Sequence, residues 1–190
     1  MDLILTVIMV FIGLLIADLM TACVHWVVDN YASRDWPFVG KHYVAYAHDH
    51  HDDPLEILRI TFLQRHWFIL TFAAFCAVTL YLLNRFNVVT TSALIFGAAT
   101  NYIHCLSHRT EKENGPFINF FHRIGLLQSP KNHTHHHNNE SSHYALLTDY
   151  LNPIIEASRI FPFAERCLLR AGLRKYWWER PDAKPANSTP

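Results

Sequence analysis

The chain has 190 residues, of which 51% are hydrophobic and 14% are aromatic, and its 16 basic residues are balanced by 16 acidic ones. This length predicts a single domain, which we place at residues 1–180. The balanced charge gives no indication of a nucleic-acid partner. The four cysteines lack a CxxC spacing, so the sequence predicts neither a disulfide framework nor a zinc ribbon.

The first apolar segment, residues 3–28, is long enough to cross a bilayer with a hydrocarbon core of about 30 Å. Its titratable residues are Asp18 and His25. A signal peptide is the alternative interpretation, but it would begin with basic residues, and no lysine or arginine precedes Arg34. We therefore expect a retained membrane helix.

Two further apolar segments, residues 67–83 and 88–106, are near the lower length limit for membrane helices. The short polar link at 84–87 predicts that they form an antiparallel hairpin. Lysine and arginine are concentrated in the loop 30–66 and after the third segment. The positive-inside rule then predicts a multi-pass protein with a non-cytoplasmic N-terminus and with the ends of the first and third segments in the cytoplasm.

The second half of the chain predicts helices that lie at the membrane interface. Residues 117–128 form an amphipathic stretch. Asn152 and Pro153 are expected to open another helix, as N-cap and first helical residue. Residues 181–190 are rich in Pro, Ala, Asn and Ser and predict a flexible tail. The predicted fold class is therefore all-α, with about three transmembrane helices and interfacial amphipathic helices.

Eight of the fourteen histidines occur in four groups, and histidine is the commonest side-chain metal ligand. Residues four apart share a helix face, and the predicted topology brings all four groups to the cytosolic side. Each group alone has an ordinary interpretation, such as an interfacial histidine or a solvated polar loop. Together with one carboxylate they would provide two metal ions with about four ligands each. The predicted ligands are His25, Asp29, His50, His51, His104, His108, His133, His136 and His137.

Three more residues are candidates to position these ligands. Asp18 lies about two turns before His25, and a carboxylate inside a membrane helix is costly unless it is paired. We expect it to accept the N–H of a ligand histidine, or alternatively to bond a neighbouring helix. His143 and Asp149 follow the last histidine group and are candidates for the same role or for ligation. No catalytic residue separate from the ligands is predicted.

The other histidines are expected at the surface or the membrane interface. His48 and His135 are the two that would most readily join the ligand set. The remaining three are His42, His66 and His122.

Four stretches together resemble the lipid desaturase family: IADLMTACVHWVVDNY at 16–31, HDHHDDP at 48–54, HCLSH at 104–108 and SPKNHTHHH at 129–137. This family contains plasmanylethanolamine desaturases and the plastid desaturase that places a trans double bond in phosphatidylglycerol acyl chains. The resemblance implies metal ligation by the eight grouped histidines, with Asp29 as a ligand or near neighbour. Asn132 stands where many members have a histidine, which leaves the subfamily open.

We therefore expect a membrane-bound, O2-dependent desaturase that uses two iron ions to introduce a carbon–carbon double bond into a lipid acyl or alkyl chain. Removing hydrogen from an unactivated methylene requires metal–oxygen chemistry that side chains do not provide. Because the chain contains no GxGxxG or P-loop motif, its electrons must come from an external donor such as cytochrome b5 or ferredoxin.

Three other functions remain open at this point. A di-iron lipid hydroxylase could use the same ligands. A non-enzymatic membrane metal-binding or transport protein is less favoured, because residues 67–83 contain no ionisable side chain. A membrane zinc hydrolase is less favoured because the chain has no HExxH motif and has too many histidines for one zinc ion.

Overall fold

The computed structural model describes residues 2–175, and the predicted tail at 181–190 lies outside the described residues. Every secondary-structure element in this range is a helix, which confirms the predicted all-α class. A π-helical turn, Gly40–Val44, leads directly into the helix that begins at Ala45. The α-helices are α1 Leu3–Tyr31, α2 Ala45–Asp52, α3 Glu56–Arg59, α4 Phe62–Leu82, α5 Val88–Ala98, α6 Thr100–Ser107, α7 Glu111–Arg123, α8 Pro130–Asn138, α9 Leu151–Ser158 and α10 Ile160–Arg170.

Two of the helices in the described residues, α1 and α4, are long and apolar enough to cross a membrane. The side chain of Asp2 caps α1 by accepting a hydrogen bond from the backbone of Ile4, and Thr61 and Gln64 form a capping box at the start of α4. Large apolar side chains such as Leu3 and Leu82 are exposed on these helices, as expected of surfaces that face lipid. Long apolar helices with such exposed surfaces favour association with a membrane. The number of crossings and their orientation stay predictions.

The third predicted membrane segment, residues 88–106, consists of two helices, α5 and α6, separated at Ala99. The backbone N–H of Ala99 is shared between the carbonyls of Ile95 and Phe96, and the Thr100 hydroxyl donates to the carbonyl of Gly97 at 2.8 Å. Such bonds compete with the regular helical pattern and tighten the turn. The 11 residues of α5 extend about 16 Å, which is shorter than the bilayer core. The hairpin link at 84–87 lies where it was predicted, between α4 and α5.

Helix α1 packs against α5 at a glycine. A Cβ atom built on Gly13 would lie 2.6 Å from the carbonyl oxygen of Val89 and 2.7 Å from the Cβ of Ser92. No side chain larger than hydrogen fits at this distance, so Gly13 lets the two backbones approach closely, as small residues do between membrane helices. This contact fixes α5, and through it α6, against α1.

The segment 142–148 has no helix of its own but lies buried between helices. The carboxylate of Asp18, 0% exposed, accepts hydrogen bonds from the backbone N–H of Leu147 at 2.8 Å and of Thr148 at 3.1 Å, and from the Thr148 hydroxyl at 2.6 Å. Tyr144 and Ala145 pack with Trp26 in one hydrophobic cluster, and Leu147 packs in a second. The segment is thereby attached to α1 over about two helical turns, from Asp18 to Trp26.

Two helix boundaries differ from the prediction. Helix α7 contains a kink at Gly115, whose φ is 71°, and it ends at Arg123, so the predicted amphipathic helix 117–128 is shorter than expected. Helix α9 begins at Leu151, and Asn152 is not its N-cap, because the Asn152 side chain bonds both the N–H and the carbonyl of buried Ala145. Location of these helices at a membrane interface stays a prediction.

Candidate metal centre

Five histidines from three parts of the chain form the first group, called here group 1. His50 lies in the last turn of α2, and His104 lies in α6 with His108 directly after that helix. His133 and His137 lie one turn apart on α8. One ring nitrogen from each of the five lies within 4.8 Å of all the others. Every member of group 1 was a predicted ligand.

The nitrogens of group 1 are too close together for five neutral rings without a shared cation. The Nε2 atom of His104 lies 3.0 Å from that of His50, 2.8 Å from that of His133 and 3.2 Å from that of His108. A neutral imidazole has one N–H and one lone pair, so a cluster of Nε2 atoms cannot be satisfied by hydrogen bonds alone. Two ligands at right angles, each about 2.1 Å from a metal, lie about 3.0 Å apart. These residues therefore fit a transition-metal ion.

Group 2 consists of His25 and Asp29 on α1, His51 at the end of α2 and His136 on α8. The Nε2 atoms of His25, His51 and His136 lie 3.2, 3.4 and 3.4 Å from the carboxylate oxygens of Asp29. Asp29 is 1% exposed, and this position among three imidazoles is one that a carboxylate ligand would take. All four residues were predicted ligands, so the structure brings the nine together as two adjacent groups.

Two backbone carbonyls orient the rings of group 2. His25 Nδ1 lies 3.0 Å from the carbonyl oxygen of Tyr144, and His136 Nδ1 lies 2.6 Å from that of Ser142. A carbonyl accepts only, so each ring carries its proton on Nδ1 and directs the lone pair of Nε2 toward the centre of group 2. Metal-binding histidines are usually oriented by such bonds on the opposite ring nitrogen.

Burial favours the neutral, metal-binding form of the histidines in group 1 that lie outside the long helices. Burial and the neighbouring histidines lower the pKa of His137 to about 2, and burial and His51 lower the pKa of His108 to about 4. In group 2, burial opposes protonation of His51, but the Asp29 carboxylate prevails and raises the pKa of His51. A cation in group 2 would replace the proton that Asp29 otherwise attracts.

An apolar cavity of about 480 Å³ extends between α1, α4 and α5 and ends at the metal centre. His25, His50 and His104 form part of its wall, so both groups contribute to it. On α4 the wall runs from Gln64 to Leu80, which corresponds to about 24 Å along the helix. A long hydrocarbon chain could therefore lie between the helices with a carbon beside the histidines.

The sequence of the lipid desaturase domain matches residues 14–174. The chain belongs to this family. It is 27% identical over 177 residues to fatty acid desaturase 4-like 2, chloroplastic, of Arabidopsis thaliana, covering 90% of this chain and 63% of the relative.

One bacterial and one animal relative have a similar sequence identity to this chain. The plasmanylethanolamine desaturase of Myxococcus xanthus is 29% identical over 167 residues, covering 84% of this chain and 59% of that protein. Plasmanylethanolamine desaturase 1 of Mus musculus is 31% identical over 169 residues, covering 76% and 58%. The chain thus spans about 60% of the length of these members of the lipid desaturase family. No solved structure matches it.

The three predicted positioning residues lie outside both groups. Asp18 does not accept a histidine N–H among its described bonds, which corrects that expectation: Leu147 and Thr148 donate to it instead. Asp149 accepts from the backbone of Ser129 and the side chain of Asn132, and so holds the first turn of α8. Asn132, which departs from the family pattern, thereby has a structural partner.

His143 lies with its ring stacked on that of His135, with centroids 4.1 Å apart, and neither belongs to group 1 or group 2. His48 is fully buried, contrary to the expected surface position, and its Nε2 lies 2.9 Å from the carbonyl oxygen of Val28. His66 and His122 are also buried, and His42 is exposed as expected.

Sequence reasoning missed the two carbonyls that orient His25 and His136, because any residue type supplies a carbonyl. It also missed Gln128, which is 0% exposed and donates to the carbonyl of Ala145 at 2.7 Å. A glutamine beside an apolar stretch carries no pattern that distinguishes it from a surface residue. The signal that could have drawn attention to residues 142–148 was the unpaired charge of Asp18 in an apolar helix.

Proposed function

We propose that this protein is a membrane lipid desaturase that holds two iron ions, one in group 1 and one in group 2, and acts on a lipid acyl or alkyl chain. The observation that carries the proposal is the convergence of eight histidines and one carboxylate at the end of an apolar cavity. The named activities of its relatives, desaturation of fatty acids and of plasmanylethanolamine, support the same reaction class.

The residues of the chain would divide the work as follows. His50, His104, His108, His133 and His137 bind the first ion, and His25, Asp29, His51 and His136 bind the second. The carbonyls of Tyr144 and Ser142 hold two rings in the tautomer that binds metal. When bound, the iron pair supplies the redox chemistry with O2 that unactivated carbon requires.

The apolar wall of the cavity would orient the chain and exclude water from the reacting carbons. In the overall reaction two hydrogens leave adjacent carbons, O2 is reduced to two waters, and two electrons and two protons are taken up. An external carrier such as cytochrome b5 or ferredoxin would supply the electrons. With the predicted topology, both groups face the cytoplasmic side, where such a carrier could approach.

The experiment compares metal content and cellular lipids for the wild type and two histidine variants. We expect about two irons per purified chain and a new alkene-containing lipid in cells that express the wild type. His104→Ala removes the nitrogen that contacts three other histidines in group 1, so the alkene should disappear while the protein still inserts in the membrane.

His42→Ala serves as the matched control, because His42 is exposed and belongs to neither group. It should retain both the metal and the product. One zinc per chain, or full activity of His104→Ala, would contradict the proposal. A hydroxylated lipid in place of an alkene would assign the same metal centre to a hydroxylase.

A further inference from the structure

Among the described residues the cavity has charged side chains at one end, and that end adjoins the metal centre. Toward the α4–α5 link its wall is mainly apolar, with residues such as Phe75, Leu80 and Leu94, and it carries only uncharged polar groups such as threonine hydroxyls. Apart from the histidines, the charged side chains on the described wall are Glu56 and Arg65, and both lie at the metal end. A lipid bound here would therefore have its polar group beside the metal centre and its methyl end toward the link.

Arg65 is the cation at this end, in the first turns of α4. Its Nη1 donates to the carbonyl of Ile57, but its Nε is buried and has no hydrogen-bond partner. Among the described residues no carboxylate lies within ion-pair distance of Arg65, although Arg34, Arg59 and Lys175 each have such a partner. Burying an arginine donor without a partner is costly, and phosphate oxygens match the geometry of the guanidinium group.

Arg65 is also close to a predicted ligand of group 1. Asn101, three residues before His104 on α6, donates its side-chain N–H to the carbonyl of Arg65. Cys105, next to His104, approaches the same Ile57 carbonyl that Arg65 contacts, with its sulfur 3.9 Å from that oxygen. These contacts attach the start of α4 to the helix that carries His104, so the backbone of Arg65 is held near the metal centre.

We infer that Arg65 binds the phosphate of the lipid substrate and thereby sets which carbons reach the metal centre. This inference rests on the proposed function for the reaction, but the binding step does not. Arg65 is a positioning residue: it would anchor the polar group at one end of the cavity, while the chain beyond it passes the histidines. The reacting carbons would then lie only a few bonds from the polar group.

The test is a binding measurement with two fluorescent lipids that have identical tails, a phosphatidylglycerol and a diacylglycerol, added to purified protein in detergent. Arg65→Gln removes the charge and keeps a polar side chain at this position. It should weaken phosphatidylglycerol binding about tenfold or more, since hydrogen bonds between charged groups are strong, and change diacylglycerol binding less than about twofold. Arg59→Gln, the control, removes an exposed arginine outside the cavity and should change neither affinity.

Equal weakening of both lipids by Arg65→Gln, or no weakening of either, overturns the inference. Glycerol 3-phosphate competing at the same concentration as the lipid would assign the site to a free phosphate and also overturn it. If Arg65→Gln does not fold, Arg65→Lys decides: it keeps the charge but loses the two-donor geometry, so the ratio of the two affinities should fall about threefold. An unchanged ratio then refutes the inference.

A second readout concerns product position in the active enzyme. Arg65→Gln should spread the double bond over neighbouring carbons, whereas Arg59→Gln should leave a single position. A protein that folds but contains no iron and forms no alkene refutes the proposed function and leaves the binding result to be judged separately. A single double-bond position in Arg65→Gln refutes the positioning role even if the desaturase activity is established.

Discussion

The substitution Asp18→Asn tests how the buried segment 142–148 is held in place. The two oxygens of Asp18 accept three hydrogen bonds from Leu147 and Thr148, at 2.6–3.1 Å. Asparagine keeps one acceptor oxygen, and its NH2 group would face at least one of the present donors. Hydrogen bonds to a charged group contribute about 1.5–3 kcal/mol each, so we expect the free energy of unfolding to fall by about 2–4 kcal/mol.

For a domain of this size, 1 kcal/mol corresponds to about 2–4 °C, so the Tm in detergent should fall by about 4–16 °C. The same segment contains the carbonyls of Ser142 and Tyr144, which orient His136 and His25. An iron ion in group 2, as proposed above, should therefore be lost more readily than one in group 1. Thermal unfolding followed by circular dichroism and iron titration measure the two effects.

Thr148→Val provides the matched comparison, because it removes only the hydroxyl bond of 2.6 Å. Its effect on Tm should be smaller than that of Asp18→Asn, and the double variant should lose less than the sum of the two, since both act on one network. An unchanged Tm in Asp18→Asn, or strictly additive effects, would refute the assigned contact.

Two further predictions concern packing and protonation. Gly13→Ala should destabilise the protein by about 1–3 kcal/mol through overpacking of α1 against α5. Gly97→Ala is the control and should not destabilise it, because a Cβ atom at Gly97 meets nothing within 4 Å. Equal melting temperatures for the two variants would contradict the close contact. Metal-free protein should lose stability as the pH falls from about 6.5 toward 4, because the pKa of His108 is lowered to about 4 and the unfolded chain then binds more protons than the folded one. The decrease of Tm with falling pH should be less steep for His108→Gln than for the wild type. A wild-type Tm that does not change between about pH 6.5 and 4 would refute the expectation.

The features that could be predicted from the sequence are those that depend on local spacing. His133 and His137 are four residues apart, and so are His25 and Asp29, so a helix alone places each pair on one side. Charge distribution predicted that the four groups lie on one side of the membrane, and that side stays a prediction, whereas the structure shows the groups close together. The hairpin link at 84–87 likewise follows from a short polar interruption between apolar segments.

The features that could not be predicted depend on contacts between distant parts of the chain. Asp18 and Thr148 are 130 residues apart, so no local pattern indicates that their side chains are bonded. Helix α9 begins at Leu151, before the predicted N-cap, because the Asn152 side chain bonds the backbone of Ala145 and does not cap its own helix. The break at Ala99 arises from hydrogen bonds that an apolar segment does not reveal.

The distribution of ligands between the two groups has a consequence for the spacing of the two ions. His50 and His51 are adjacent but belong to different groups, and the same is true of His136 and His137. Successive helical residues point about 100° apart, and the ring centroids of the two pairs lie 6.1 and 5.8 Å apart. The separation of the ions would thus be set by the covalent geometry of two dipeptides, on α2 and α8, and much less by the packing of the long helices. Helix α4 carries no member of either group, so a movement of α4 that admits a lipid would leave the distance between the two metal sites unchanged.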